Sequence, residues 1–168
     1  MLAQTVTSNR NISYPQVRNI MCHAAALYWL YTDEFKRTPT LEVFTSRALS
    51  PPDPVITSML RFGKQVKNLN ALKALAAGTV IVFVQNGNPM HTCVVLRNNQ
   101  LGGNNQTGWY TSNGVAGRYS AHSMDDVQWI GGLMSRNEVR GSNANMRCKL
   151  MSIPENSAKA VVRKAIQG

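Results

Sequence analysis

Cys22, His91 and a carboxamide among residues 104–106 are of types that together perform nucleophilic catalysis. A thiol becomes a strong nucleophile when its pKa falls, and the first turn of a helix beside an imidazole lowers it through the helix dipole and ion pairing. Cys22 opens an Ala- and Leu-rich run, Met21 to Tyr31, that is apolar nearly all round and reads as a buried helix. The plainer role for such a cysteine is a small core hydrophobe. His91 stands where turn chemistry gives way to a strand, a place that presents a base at a pocket edge or simply satisfies an imidazole with backbone contacts. A catalytic imidazole also needs an acceptor on its far nitrogen to fix its tautomer. With Asn98-Asn99 as a two-residue hairpin turn, Arg97 faces Gln100, Gln106 falls opposite His91, and Asn104 is a diagonal neighbour on the same face. A bulge at Gly102-Gly103 shifts this register by one and brings Asn105 into play. The plain role for 104–106 is strand-end punctuation.

Other reactive residues fit less well. His23 follows Cys22 directly and points about 100° away around a helix, so it reads as structural. Cys93 shares the strand face of His91 and could line the pocket or replace Cys22, but it lacks a helix dipole. His122 with Asp125 and Asp126 offers a metal or acid/base cluster, yet Ser123 to Asp126 is equally turn and cap chemistry. Trp109 and Tyr110 straddle two strand faces, so one suits the core and the other a cleft wall; Trp29 suits the core.

The elements that must position these groups follow from pattern and punctuation. Residues 1–13 are polar and aperiodic, which predicts a flexible arm. Thr38-Pro39-Thr40 introduces a short amphipathic helix ended by Ser50-Pro51-Pro52; Asp53-Pro54 starts another, through about Lys64. Asn68 caps a further helix through Ala77, with Gly78 just past its end. From Thr79 the chain turns to strands: Thr79–Gln85, a turn at Asn86 to Pro89, His91–Arg97, and a return through 100–112. Further strands are expected at 126–130 and 146–153, a loop at 131–145, and a basic helix from Pro154-Glu155 to Ile166. The expectation is an α+β fold, N-terminal helices on an antiparallel β-sheet, in a single catalytic domain over 1–168.

Cysteine at the start of a mostly buried helix, then further helices, then a sheet with histidine on one strand and an amide on the next resembles the papain-like cysteine hydrolase superfamily. The order Cys, His, Asn or Gln is the one that superfamily uses. Gln16, six residues before Cys22, stands at the spacing of the glutamine that helps form its oxyanion hole, which implies that role here beside the Cys22 backbone N–H. The flanks of Cys22, Met-Cys-His-Ala-Ala-Ala, depart from the cathepsin pattern. Size and the run from His91 to Trp109 are more similar to compact bacterial effector enzymes and cell-wall amidases. The resemblance implies a toxin-like effector that cleaves or deamidates a target protein; a peptidoglycan-peptide amidase is the alternative.

Eighteen Lys and Arg against eight Asp and Glu leave a charge of +10, which suits acidic proteins, nucleic acid, anionic membranes or cell-wall polymers. The cations are scattered rather than gathered beside stacking aromatics, so a basic nucleic-acid-binding module is the weaker, non-enzymatic reading. Three widely spaced cysteines without a CxxC suggest neither a disulfide framework nor zinc, and no cofactor is expected. Expected partners are a protein or peptide substrate of acidic character, with an immunity or activating protein as a further candidate. No apolar run is long enough for a membrane span and no signal peptide is recognisable, so the expected route is cytosolic synthesis followed by signal-independent export.

Overall fold

The computed structural model describes residues 1–14, 17, 19–45, 48–111, 114–131 and 137–168. Its helices are α1 (Leu2–Ser8), α2 (Cys22–Phe35), α3 (Leu41–Thr45), α4 (Pro52–Met59), α5 (Leu69–Lys73) and α6 (Glu155–Gln167). Its strands are β1 (Lys64–Val66), β2 (Val80–Gln85), β3 (Asn88–Leu96), β4 (Gln100–Asn104), β5 (Tyr119–Ser123), β6 (Trp129–Ile130), β7 (Glu138–Arg140) and β8 (Arg147–Ile153). All pairings are antiparallel, in the order β5-β4-β3-β2-β8-β7-β6, with β1 sharing the outer edge of β8 with β7. The mixture of N-terminal helices and an antiparallel sheet is the one expected.

The central strands are buried on both faces, which is why Val-Ile-Val-Phe-Val reads as a continuous apolar run rather than an alternating one. Val80, Val82, Val84, Val94 and Leu96 join the core beneath α1, α2, α4 and α6. Ile81, Phe83, Cys93 and Val95 face a second core with Leu101, Trp109, Tyr110 and Leu150. Successive residues of a strand alternate faces, so β3 sends Thr92 to the helical side and His91 to the second core.

Residues 1–13, expected as a flexible arm, instead contain α1. Leu2, Ala3 and Val6 are buried in the helical core. Burying Leu2 and Val6 contributes about 1.5–3 kcal/mol each, and this packing is what holds a helix too short to form alone. The helix from Asp53 is shorter than expected: α4 ends at Met59 and one 3-10 turn, Leu60–Phe62, leads into β1. Asn68 does cap α5, its Oδ1 accepting from Ala71 N–H at 2.8 Å, but the helix stops at Lys73. The strand expected through 100–112 ends at Asn104. β7 lies where a loop was expected, and β5 is a strand where none was expected.

Asn98 and Asn99 both take positive φ, as the hairpin requires. The register is nevertheless one residue off the expected one: Leu96 pairs with Gln100 and Val94 with Gly102, where the ladder ends.

Candidate active site

Gln106 organises the site. It is fully buried, and its Nε2 donates to the carbonyls of Ser120 at 2.7 Å and Leu101 at 3.3 Å. A carbonyl only accepts, so these bonds fix the amide orientation and leave Oε1 as the acceptor. That oxygen takes the Tyr110 hydroxyl at 2.7 Å and His91 Nε2 at 3.1 Å. His91 therefore carries its proton on Nε2, and Nδ1 holds a bare lone pair.

That Nδ1 is buried and has no hydrogen-bond partner among the described residues. An orphaned buried acceptor costs about 1–3 kcal/mol, so the surroundings must hold it in place. Trp109 stacks on the imidazole at 4.8 Å and 14°, while Phe83 meets its edge at 5.4 Å. Burial pushes the His91 pKa down to about 3, against the opposing bond to Gln106, so the ring is neutral at physiological pH.

The segment after β4 supplies most of this cage. Asn105 turns at φ 55, its Oδ1 receiving the N–H of Gly117 at 3.2 Å. Trp109 N–H then closes a turn onto the Gln106 carbonyl, with Gly108 at φ 82. One short turn thus delivers Gln106, Trp109 and Tyr110 to the same imidazole. Gln106 reaches His91 from this turn and not from a ladder position opposite it, because the β3–β4 pairing has already ended.

Cys22 is the first residue of α2 and is 7% exposed. Burial pushes its thiol pKa up, although the backbone N–H groups of Thr92, His23 and Cys22 itself point at the sulfur and oppose the rise. The expected depression by the helix end is thus outweighed by desolvation. Asp53 adds to the rise. Cys22 approaches β3 at the residue following His91, and its charge also raises the pKa values of Cys93 and Tyr110, both on the second-core face. It makes no hydrogen bond to His91, whose Nδ1 is unpartnered. The resting pair is a protonated thiol and a neutral imidazole.

Asn104 makes no hydrogen bond to His91 among the described residues. Its Nδ2 donates to the Ile20 carbonyl at 2.7 Å, tying the entry of α2 to the end of β4, and its Oδ1 is buried without a hydrogen-bond partner among the described residues. It positions the cysteine's helix, a role the sequence does not announce. Gln16 lies outside the described residues. His23 bridges α2 to β3: its Nε2 donates to the Pro89 carbonyl at 3.2 Å, so its Nδ1 accepts from the Thr92 hydroxyl at 2.7 Å. Burial lowers its pKa, so at neutral pH the 4.0 Å approach of Asp53 meets a neutral imidazole and is not an ion pair.

Tyr110 was the residue to find. Its hydroxyl proton goes to Gln106, leaving the oxygen 3.6 Å from Cys93 Sγ, and its ring stacks on His122 at 4.7 Å. The only sequence signal was the spacing of Trp109 and Tyr110, three and four residues after Gln106. His122 contacts Ser120 at 3.0 Å and lies on β5; among the described residues no group of three His, Cys, Asp or Glu side chains could hold a metal ion. Cys93 is wholly buried, and its thiol is pushed up to about 12 by desolvation, which makes it the poorer nucleophile. Beside His23 a cleft of about 700 Å³ opens, walled by Asp53, Thr57, Asn88, Pro89 and Met90.

Protein-family models, curated proteins and solved structures yield no match to this chain. The geometry alone carries the functional reading. Among the described residues no helix is long and apolar enough to cross a membrane.

Proposed function

We propose that the protein is a thiol hydrolase with a papain-like arrangement, in which Cys22 attacks a carboxamide or peptide carbonyl of a protein or peptide substrate and His91 is the general base. The observation that carries this reading is the bare, buried Nδ1 of His91, held in the base tautomer by a fully satisfied Gln106. A polar atom left without a partner in a native interior calls for a reason, and proton abstraction is one that also accounts for the cage around it.

In the proposed step the Cys22 side chain rotates toward Nδ1. The S–H proton passes to that nitrogen as sulfur bonds to the carbonyl carbon, and the oxygen takes the electron pair of the C=O π bond. The Cys22 backbone N–H is a candidate oxyanion donor, as is Gln16. The imidazolium returns its proton to the leaving amine or ammonia, and water releases the acyl group from sulfur. The cleft beside His23 is the proposed substrate channel. Cleavage or deamidation of a target protein by an exported bacterial effector, and cutting of peptidoglycan peptides, use this same step.

The test is labelling by a peptidyl vinyl sulfone, followed by intact-protein and peptide mass spectrometry. One adduct is expected, on Cys22, at a rate about 10²-fold lower in His91→Phe, the usual contribution of a positioned base. Because His91 is neutral above about pH 3 and the thiol stays protonated, the rate is expected to be flat from about pH 5 to 8. Labelling that ignores His91, or that falls equally on Cys93, defeats the reading and leaves a basic binding module with a core cysteine.

A further inference from the structure

The net charge of +10 points to acidic partners, yet the cleft beside His23 carries the opposite sign. Of its described lining residues Asp53 alone is charged: burial keeps His23 neutral, and Pro54, Thr57, Asn88, Pro89 and Met90 are uncharged. The Asp53 side chain is 64% exposed, and no Lys or Arg among the described residues pairs with it. Its Oδ1 lies 4.0 Å from Nε2 of His23, the residue after Cys22 and another member of the same lining.

A carboxylate in the first turn of α4 suits the helix N-terminus wherever it points. At Asp53 it also stands among groups that complement a long cationic side chain. Pro54, Pro89 and Met90 give the cleft apolar wall, against which an aliphatic stem packs. The Thr57 hydroxyl donates to the Asp53 carbonyl at 2.8 Å, so toward a ligand its oxygen acts as an acceptor. An acidic side chain placed here meets like charge.

We propose that Asp53 selects a peptide substrate with an arginine or lysine side chain flanking the scissile carboxamide, the stem lying along Met90, Pro54 and Pro89 and the cationic head pairing with the Asp53 carboxylate. The proposal rests on the reading of Cys22 as nucleophile and of this cleft as its substrate channel, although the binding step needs no thiol. Arginine is the better fit, because its planar fork matches a carboxylate. Asp53 also opposes ionisation of Cys22, so a cation seated on the carboxylate weakens that opposition as substrate arrives.

Two measurements at about 150 mM salt test this. Acetylated tripeptidyl vinyl sulfones carrying Arg, norleucine or Glu at each position in turn report the rate of Cys22 labelling. At the preferred position Arg is expected to label about 3- to 5-fold faster than norleucine, the effect of a partly exposed ion pair, and Glu more slowly than norleucine. Asp53→Asn is expected to bring the ratio of Arg to norleucine to about 1, Asp53→Glu to retain the preference, and Asp53→Lys to put Glu ahead of Arg. The overall positive charge favours the Glu probe, so a preference for Arg has to come from the cleft. The second measurement is an amide NMR titration of Cys22→Ala with acetyl-Ala-Ala-Arg-Ala-Ala-amide and its norleucine counterpart. Saturable shifts centred on Thr57, Asn88 and Met90 are expected for the Arg peptide, needing about 3- to 5-fold more peptide once Asp53→Asn is added. If no probe labels Cys22 while these shifts and their dependence on Asp53 remain, the hydrolase reading falls and the selection of a basic side chain stands. Equal labelling or binding by the Arg and norleucine forms, a wild-type preference for Glu, or shifts absent from the cleft or indifferent to Asp53→Asn overturn the proposal.

Discussion

At the scale of single residues, His91 is a stability defect in waiting. Its ring is wedged between Trp109 and Phe83, its Nδ1 is an orphan, and its pKa is held near 3 in the folded protein against 6.5 in a free chain. Between those two values the unfolded chain binds a proton that the folded one refuses. Stability therefore falls as pH drops from about 6.5 toward 3, by up to about 1.4 kcal/mol per pH unit. Phenylalanine keeps the stacking and removes the orphan, while Gln106 Oε1 still accepts from Tyr110. His91→Phe is accordingly expected to lie within about 1 kcal/mol of wild type at pH 7, and to become progressively the more stable protein toward pH 4.5. Urea melts at three or four pH values read this directly. A constant difference across that range removes the case for a neutral, buried imidazole.

At the scale of elements, the decisive feature is the place where β3 and β4 stop pairing. Gly103 sits there, and a Cβ on it would lie 3.1 Å from Cys93 Cβ and 3.3 Å from both Gln106 Oε1 and the Thr92 carbonyl. Two of those atoms belong to β3, and Gln106 Oε1 is pinned by the hydrogen bonds of its amide, so the added methyl must move the Gln106 cage or β3. Gly103→Ala is expected to lose about 1–3 kcal/mol in a urea melt and to slow vinyl sulfone labelling of Cys22. Gly131→Ala, which meets nothing within 4 Å among the described residues, is the control and stays within about 0.5 kcal/mol. The same junction shows how far sequence reasoning carries. Asn98 and Asn99 announced the hairpin, and the partnership of His91 with a downstream amide was legible from type and rough distance. The register was not, because the count assumed a ladder continuing to residue 106, whereas Asn105 turns the chain out of the sheet and Gln106 returns from a separate turn. β5 escaped because Tyr-Ser-Ala-His-Ser has no apolar run: as an edge strand it pairs on one side only. α1 escaped because three small or medium apolar residues gain their meaning only from the core they enter.

At the scale of the whole molecule, the surplus of positive charge has one deeply placed counterweight. Asp33, on α2, is 4% exposed and joins three helices: it accepts from Thr5 Oγ1 of α1 at 2.6 Å and pairs with Lys159 of α6. Desolvation alone would raise its pKa, but Lys159 and Thr5 outweigh burial and hold the carboxyl well below its ordinary value of 3.8. Such a depression contributes stability that is complete above about pH 4 and is lost as pH falls through the folded value. Lys159 keeps Glu155 at 2.9 Å when Asp33 is neutralised, so Asp33→Asn is expected to cost about 2–3 kcal/mol at pH 7 rather than the full loss of a buried pair. The two substitutions then separate by pH. The deficit of Asp33→Asn stays constant from pH 7 to about 4 and closes only below that, whereas the relative gain of His91→Phe opens between about 6.5 and 4.5. Paired urea melts across this range distinguish a helix-clamping carboxylate from a strained imidazole. If the Asp33→Asn deficit instead shrinks already between pH 7 and 5, Asp33 is not the clamp, and the packing of α1 and α6 on α2 rests on apolar contacts alone.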